Sequence, residues 1–134
     1  GDNVGITHNK SGKFECRFLP VEYKCPKSLL KSRIGIWVAH GEGRFIMENG
    51  WENDIEILGT YISENYPENP NGSMYRAIGI TNKRGNHVAI MPHPERSLFK
   101  WQCEYIPDIF NQRYPGKYTP WIEFFENLLT SYSG

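Results

Sequence analysis

Apolar and polar positions alternate near the beginning of the chain in the manner of a half-buried strand. Over residues 12–23, Phe14, Cys16 and Phe18 fall on one face, and alternation of this kind predicts a strand with one face towards the core. Pro20 indicates a break in this strand or an edge position, because proline cannot donate to a strand ladder. The opposite, polar face carries Lys13, Glu15 and Arg17.

Further strands are predicted along the chain from shorter apolar runs. The run over residues 34–39 is uniformly apolar and predicts a buried strand. Residues 45–47 and 55–62 give weaker strand signals. Residues 75–81 and 87–91 are separated by a short polar loop that contains glycine, which predicts a hairpin.

Turns and helices are predicted at fewer places. Residues 65–73 are rich in Pro, Asn and Gly and predict a turn. Residues 26–32 are compatible with one helical turn, and residues 107–119 are predicted to be irregular. A helix is predicted at the end of the chain, with Thr119 as the N-cap and Pro120 in the first helical position. Its apolar stripe consists of Trp121, Phe124, Phe125, Leu128 and Leu129. The predicted chain is strand-rich, with a C-terminal helix.

Length, composition and charge exclude several classes of protein. The 134 residues suffice for one domain, and 39% hydrophobic content is compatible with a packed core. Fifteen basic residues balance fifteen acidic ones, which gives no support for a nucleic-acid or membrane-surface partner. No apolar run approaches the roughly 18 residues of a membrane span. Three cysteines without a CxxC spacing suggest neither a disulfide framework nor a zinc ribbon, so we expect a cytoplasmic protein.

The most informative segment is Ala-Ile-Met-Pro-His-Pro-Glu-Arg, at residues 89–96. A proline stands before His93 and another before Glu95. Met91 and His93 therefore each precede a proline, which pushes both towards extended geometry. In an extended segment, side chains two residues apart point to the same side. We therefore expect the Glu95 carboxylate to accept from the His93 Nδ1–H, which would leave Nε2 free as a general base. Spacing alone favours a plainer interpretation, a structural His at a strand end beside an exposed Glu.

No residue of the sequence has the surroundings of an activated nucleophile. A reactive cysteine typically sits on a sharp strand-to-helix turn among small residues, and Cys16, Cys25 and Cys103 lack such neighbours. A second His-x-Glu, at residues 40–43, follows the strand predicted at 34–39. It fits an active-site loop and a tight glycine turn equally well. A metal site built from both pairs has no supporting ligand spacing, so no metal is expected.

Four segments in this order resemble one family, the glutaminase domains of the phosphoribosylformylglycinamidine synthases, which are class I glutamine amidotransferases. The resemblance spans most of the chain and is closer to the large, single-chain form of these enzymes. The segments are THNKSGKFE at residues 7–15, AHGEGR at 39–44, YPENPNGS at 66–73 and MPHPER at 91–96.

The resemblance implies an α/β fold, the C-terminal part of a flavodoxin-like amidotransferase domain, over residues 1–134. It implies a Cys-His-Glu triad in which His93 and Glu95 are the catalytic His and Glu. The nucleophilic Cys and the oxyanion-hole groups would lie in an N-terminal half of the domain that this chain does not contain. The fragment alone is then expected to be inactive.

The resemblance also implies the reaction and the partners. Glutamine would be the substrate, and its ammonia would serve ATP-dependent amidation of formylglycinamide ribonucleotide in purine biosynthesis. This segment would hold no cofactor, because ATP and Mg²⁺ would bind to the synthetase domain of the same enzyme. Two alternatives stay open: a non-catalytic interaction module on the same scaffold, and a metal hydrolase using His40, Glu42, His93 and Glu95.

Overall fold

The computed structural model describes residues 4–23, 33–84 and 87–133. Most of these residues belong to strands, and helices come only near the end of the chain. The strands are β1 (Val4–Thr7), β2 (Glu15–Tyr23), β3 (Arg33–His40), β4 (Arg44–Met47), β5 (Ile55–Tyr61), β6 (Ala77–Asn82) and β7 (Val88–Ile90). The helices are α1 (Asp108–Arg113) and α2 (Trp121–Ser133). Single 3-10 turns lie at Trp51–Asn53, Met74–Arg76, Pro94–Arg96 and Lys100–Gln102.

Five of the strands form one sheet in the order β3-β2-β5-β6-β7, and β1 pairs with β4 in a separate ribbon. Each described pair is antiparallel. The strand-rich α/β architecture with a C-terminal helix is therefore confirmed. The parallel strands of a flavodoxin-like sheet do not occur among the described residues. The sheet leaves β3 at one edge, and this edge carries the candidate site.

Strand β2 begins at Glu15, three residues later than the pattern predicts, and its buried face differs near the start. The predicted apolar face is wrong there, because Phe14 and Cys16 are exposed while Glu15 is buried. Glu15 tolerates burial because its carboxylate accepts hydrogen bonds from Ser11 and Arg17. Beyond this point the strand is buried mainly through apolar side chains: Phe18, Leu19, Val21 and Tyr23.

Pro20 occupies an edge position, as predicted. It pairs with Gly35 of β3 on one side, whereas β5 pairs only with residues 21–23 of β2. At Pro20, β2 is therefore paired with β3 but not with β5, and the missing N–H of proline interrupts no hydrogen bonds to β5. Strand β2 continues through the proline without a break.

Helix α2 packs on the sheet through aromatic side chains. Trp121 and Phe124 are buried in the main core with residues from β2, β3, β5 and β6. The indole Nε1–H of Trp121 donates to the Gly35 carbonyl at 2.8 Å, which ties the helix to β3. The predicted cap is confirmed, because Thr119 Oγ1 accepts from the Trp121 N–H at 3.2 Å. The predicted stripe is not buried throughout, since Leu129 is 70% exposed.

The other predictions have mixed outcomes. The hairpin of β6 and β7 is confirmed, and so are β3, β4 and β5. The irregular segment predicted over residues 107–119 is wrong in part, because it contains α1, which buries Phe110. The helical turn predicted over residues 26–32 lies outside the described residues. In the part of the chain that the structure describes, no helix is long and apolar enough to cross a membrane.

Candidate active site

The segment that follows β7 is fixed against the outer edge of β3. The backbone N–H of His93 donates to the Trp37 carbonyl at 2.7 Å, which forms an isolated antiparallel bridge. The fully buried Ser97 completes this attachment. Its Oγ accepts from the Trp37 N–H at 3.1 Å and donates to the His93 carbonyl at 3.0 Å. The backbone of His93 is therefore held at both its N–H and its carbonyl.

The side chains of His93 and Glu95 are in direct contact, as predicted. The His93 Nδ1 lies 2.5 Å from Glu95 Oε1, so Nδ1–H donates to the carboxylate. Their side chains are 27% and 57% exposed. The predicted cause of this contact is wrong, because Glu95 lies in the 3-10 turn Pro94–Arg96 and not in an extended segment. His93 is the residue that precedes this turn, with φ −106 and ψ 88.

The contact with Glu95 determines which nitrogen of His93 is free. Because Nδ1 carries the proton, Nε2 has an unshared electron pair. No described residue hydrogen-bonds to that nitrogen. An open cleft of about 540 Å³ lies along His93 and Glu95, with Met91, Phe124 and Phe125 in its wall. In the neutral tautomer that donates from Nδ1, the lone pair of Nε2 is available, and His93 lines a partly apolar cleft.

A second histidine lies beside His93. His40 is the last residue of β3, and the centroids of the two rings are 6.2 Å apart. The His40 ring is buried, and its Nε2 lies 2.5 Å from the Asn71 side-chain nitrogen Nδ2. Burial, and to a smaller extent the charge of the nearby His93, lowers the pKa of His40 to about 4. His40 is therefore neutral near pH 7.

The loop after His40 requires glycine at one position and is clamped by an asparagine. A Cβ at Gly43 would overlap the His40 ring and come within 2.6 Å of Asn71 Nδ2. Asn9 donates from Nδ2 to the His40 carbonyl at 2.8 Å and accepts from the Gly43 N–H at 3.1 Å. The tight-turn and active-site interpretations of residues 40–43 are thus compatible, because the glycine makes room for a histidine beside His93.

Neither of the described cysteines has the surroundings of an activated nucleophile, and Glu42 is in an ion pair. Burial raises the pKa of the Cys103 thiol to about 11, which disfavours the thiolate that a nucleophile needs. Cys16 is exposed on β2, and Cys25 lies outside the described residues. Glu42 pairs with His8 at 3.3 Å. The described residues contain no group of three or more metal-ligating side chains that could hold an ion.

Three residues that shape this site were missed by the sequence reasoning. Asn9 and Asn71 are buried, and the sequence predicts only a turn over residues 65–73 and nothing for Asn9. The third residue is Ser97, which no sequence pattern singles out and which holds the His93 backbone. The available signal was the repetition of asparagine in residues 65–73, since Asn side chains often bond to neighbouring backbone in tight turns.

Comparison with known proteins matches this chain to one family. The family described as the CobB/CobQ-like glutamine amidotransferase domain matches residues 2–130. The phosphoribosylformylglycinamidine synthase of Dictyostelium discoideum is 39% identical over 90% of the chain. The subunit PurQ of phosphoribosylformylglycinamidine synthase from Picrophilus torridus is 40% identical over 74% of the chain. A solved structure titled PurLQS from Thermotoga maritima superposes with a TM-score of 0.60, at 27% identity over 73% of the chain.

These relatives are longer than the chain. It spans 10% of the Dictyostelium protein and 45% of the Picrophilus subunit. It also covers 45% of the matched chain in the Thermotoga structure.

Proposed function

Since this chain belongs to the family of CobB/CobQ-like glutamine amidotransferase domains, we propose that it supplies the base and the orienting carboxylate of a glutaminase site. The observation that carries the proposal is the contact of 2.5 Å between His93 Nδ1 and Glu95 Oε1. That contact leaves Nε2 as the proton acceptor and places it beside an open cleft. The proposed enzyme is a phosphoribosylformylglycinamidine synthase, as in the relatives.

In the proposed reaction, His93 accepts the proton of a cysteine thiol at Nε2, and the thiolate attacks the side-chain amide carbon of glutamine. The carbon–nitrogen bond then breaks, and ammonia leaves with the proton from His93. In the second half, His93 takes a proton from water, whose oxygen attacks the glutamyl thioester. Glutamate leaves and the proton returns to the cysteine sulfur, so that the site is regenerated.

Glu95 has two tasks in this scheme. It keeps the proton of the neutral imidazole on Nδ1, and it stabilises the imidazolium that forms when Nε2 is protonated. The Glu95 carboxylate is partly exposed, so its charge is not buried without a partner. The backbone of His93 is fixed, so the ring stays within reach of that carboxylate. Glu95 is thus the orienting residue and His93 the base.

The nucleophile in this proposal comes from a part of the enzyme outside this chain. The raised pKa of Cys103 makes that residue unsuitable, and the family resemblance implies a Cys on an upstream elbow. We further propose that the ammonia goes to a synthetase component, which binds ATP and Mg²⁺ and amidates formylglycinamide ribonucleotide. The Thermotoga structure of PurLQS supports such a partnership. A cytoplasmic location is part of the proposal and is supported by the free thiols of Cys16 and Cys103.

The test is His93→Ala in the intact enzyme. Synthesis with glutamine should be abolished because no base remains, whereas synthesis with added ammonia should continue because it bypasses the glutaminase. The matched control is His8→Ala, which removes an exposed imidazole and should leave both activities unchanged. Equal loss of both activities in His93→Ala would contradict the proposal and assign His93 a folding role.

A further inference from the structure

We propose that His40 is a positioning residue of the glutaminase reaction, held by Asn71 as the neutral Nδ1–H tautomer so that only His93 carries charge during turnover. The inference rests on the proposed function and extends it to a residue for which the family resemblance supplied no role. Its basis is the geometry of the buried cluster formed by His40, Gly43 and Asn71.

The hydrogen bonds of Asn71 determine the tautomer of His40. The Asn71 Nδ2 amide donates to the Gly43 carbonyl at 3.2 Å, which fixes that end of the side chain as the nitrogen, because two oxygens at this position would repel. The same Nδ2 lies 2.5 Å from His40 Nε2, so Nε2 must accept. The proton of a neutral His40 is then on Nδ1, which is buried without a partner among the described residues.

The neighbouring charges leave His40 neutral. Glu15 lies opposite His40 in the β2–β3 ladder, but its carboxylate is bound by Ser11 and Arg17. Asn71 presents a donor to Nε2, which opposes protonation there. His93, next to His40, is the group that becomes a cation in the reaction. Other charged groups near the loop are Arg44, which begins β4, the His8–Glu42 pair, and Lys10, whose backbone N–H donates to the Asn71 carbonyl.

A neutral His40 matters because of its distance from the base. Two cations whose ring centres are 6.2 Å apart repel in a partly buried site. If His40 were protonated, proton uptake by His93 would be opposed at the step that generates the thiolate. The packed, neutral ring of His40 supports the ring of His93 without competing for its proton.

The test is Asn71→Asp in the intact enzyme, read from the pH dependence of glutamine hydrolysis. An aspartate would accept a hydrogen bond from a protonated Nε2–H and raise the pKa of His40 into the range where the enzyme works. In the unaltered enzyme, the acid limb of log(kcat/KM) should have a slope of about one, for His93 alone. In Asn71→Asp the slope should approach about two, because both rings must then lose a proton.

The second arm places the same change in a His40→Gln background. His40→Gln alone should lower kcat roughly tenfold with an unchanged KM for glutamine, because a supporting ring is lost beside the base. In the double variant the slope should return to about one. A slope of about one in Asn71→Asp itself, or a steep slope that persists without His40, would overturn the inference.

The third arm disturbs the cluster without changing a charge. Gly43→Ala would push a methyl group into His40 and Asn71, and it should lower the glutaminase rate while ammonia-dependent synthesis is retained. Gly41→Ala is the matched control, because its Cβ would meet only Phe14 at 3.8 Å. If Asn71→Asp does not fold, equal rates in the two alanine variants overturn the inference. The proposed function fails separately, through His93→Ala.

Discussion

At the scale of single residues, Glu95 gives His93 a hydrogen-bond acceptor and a negative charge. Glu95→Gln keeps an oxygen that can accept from Nδ1–H, but it removes the charge that stabilises the imidazolium. We expect the glutamine-dependent kcat to fall by about 10²-fold, less than in His93→Ala. Steady-state assays with glutamine and with ammonia measure this difference.

The matched control for Glu95→Gln is Glu52→Gln, which neutralises an exposed carboxylate in the turn Trp51–Asn53. It should leave both activities unchanged. If Glu95→Gln has full glutamine-dependent activity, the carboxylate neither orients nor stabilises His93.

The ionisation of Glu15 should make the stability of the fold depend on pH. Burial raises the pKa of this carboxyl, but hydrogen bonds from Ser11, Arg17 and Tyr66 and the charge of Arg17 outweigh burial, so the net pKa is lowered. Because the folded pKa lies below the unfolded value, this stabilisation is present above about pH 4.5 and is lost as the pH falls further. Glu15→Gln should therefore reduce the free energy of unfolding by about 1 kcal/mol near pH 7.

Thermal unfolding near pH 7 and near pH 3 measures the effect of Glu15→Gln, and the difference from the unaltered chain should shrink at the lower pH. Glu56→Gln is the control, because its ion pair with Lys83 is half exposed on both sides and should contribute little. A difference for Glu15→Gln that is independent of pH would mean that ionisation of Glu15 does not stabilise the fold.

At the scale of elements, β3 positions the site. It is an edge strand of the five-stranded sheet, and an open edge would present unpaired backbone groups. The segment with His93 covers part of this edge through Trp37, while His40 ends the strand. One strand thus brings both histidines together, and its edge is itself covered by the segment that carries His93.

The side chain of Ser97 connects β3 with the His93 segment, and a single substitution can remove this connection. Ser97→Ala would leave the Trp37 N–H and the His93 carbonyl without their side-chain partner. We expect a loss of about 1–3 kcal/mol in the free energy of unfolding and a lower kcat with glutamine. Ser63→Ala is the control, since its Oγ accepts only at an exposed turn, and denaturant unfolding compares the two. Equal stabilities would show that the His93 segment is held without Ser97.

The sequence is sufficient for elements whose signals are local. The uniform apolar run of β3 and the Thr-Pro start of α2 are correctly predicted because each depends on adjacent residues. Helix α1 is missed because six residues with only Ile109 and Phe110 as large apolar side chains are too short to show a helical period. The burial of Glu15 is missed because one of its partners, Tyr66, lies 51 residues away in the chain.

The same division between local and distant signals applies to the site. The contact of His93 with Glu95 follows from a separation of two residues, although a 3-10 turn produces it and not an extended strand. The juxtaposition of His40 and Asn71 joins positions 31 residues apart. No local pattern encodes such a pair, because it arises only when the loop of residues 65–73 folds back over the end of β3.

At the scale of the whole molecule, the proposed base His93 lines an open cleft, whereas the described cysteines have the wrong surroundings for a nucleophile. Cys103 is partly buried, which raises the pKa of its thiol, and Cys16 lies within strand β2 and not on a strand-to-helix turn. A base without a nucleophile cannot complete acyl transfer. The chain should therefore act only together with a polypeptide that brings a cysteine to the free Nε2 of His93.

These 134 residues alone should release no ammonia from glutamine above the uncatalysed rate. Mixing them with the remaining polypeptide of the same enzyme should restore glutaminase activity, because the cysteine then meets an already oriented imidazole. A mixture made with His93→Ala should stay inactive, which excludes activity from the added polypeptide alone. Release of ammonia by the chain alone at the rate of the mixture would show that a nucleophile lies within these residues. A binding-competent but inactive mixture would instead favour an interaction module on an amidotransferase scaffold.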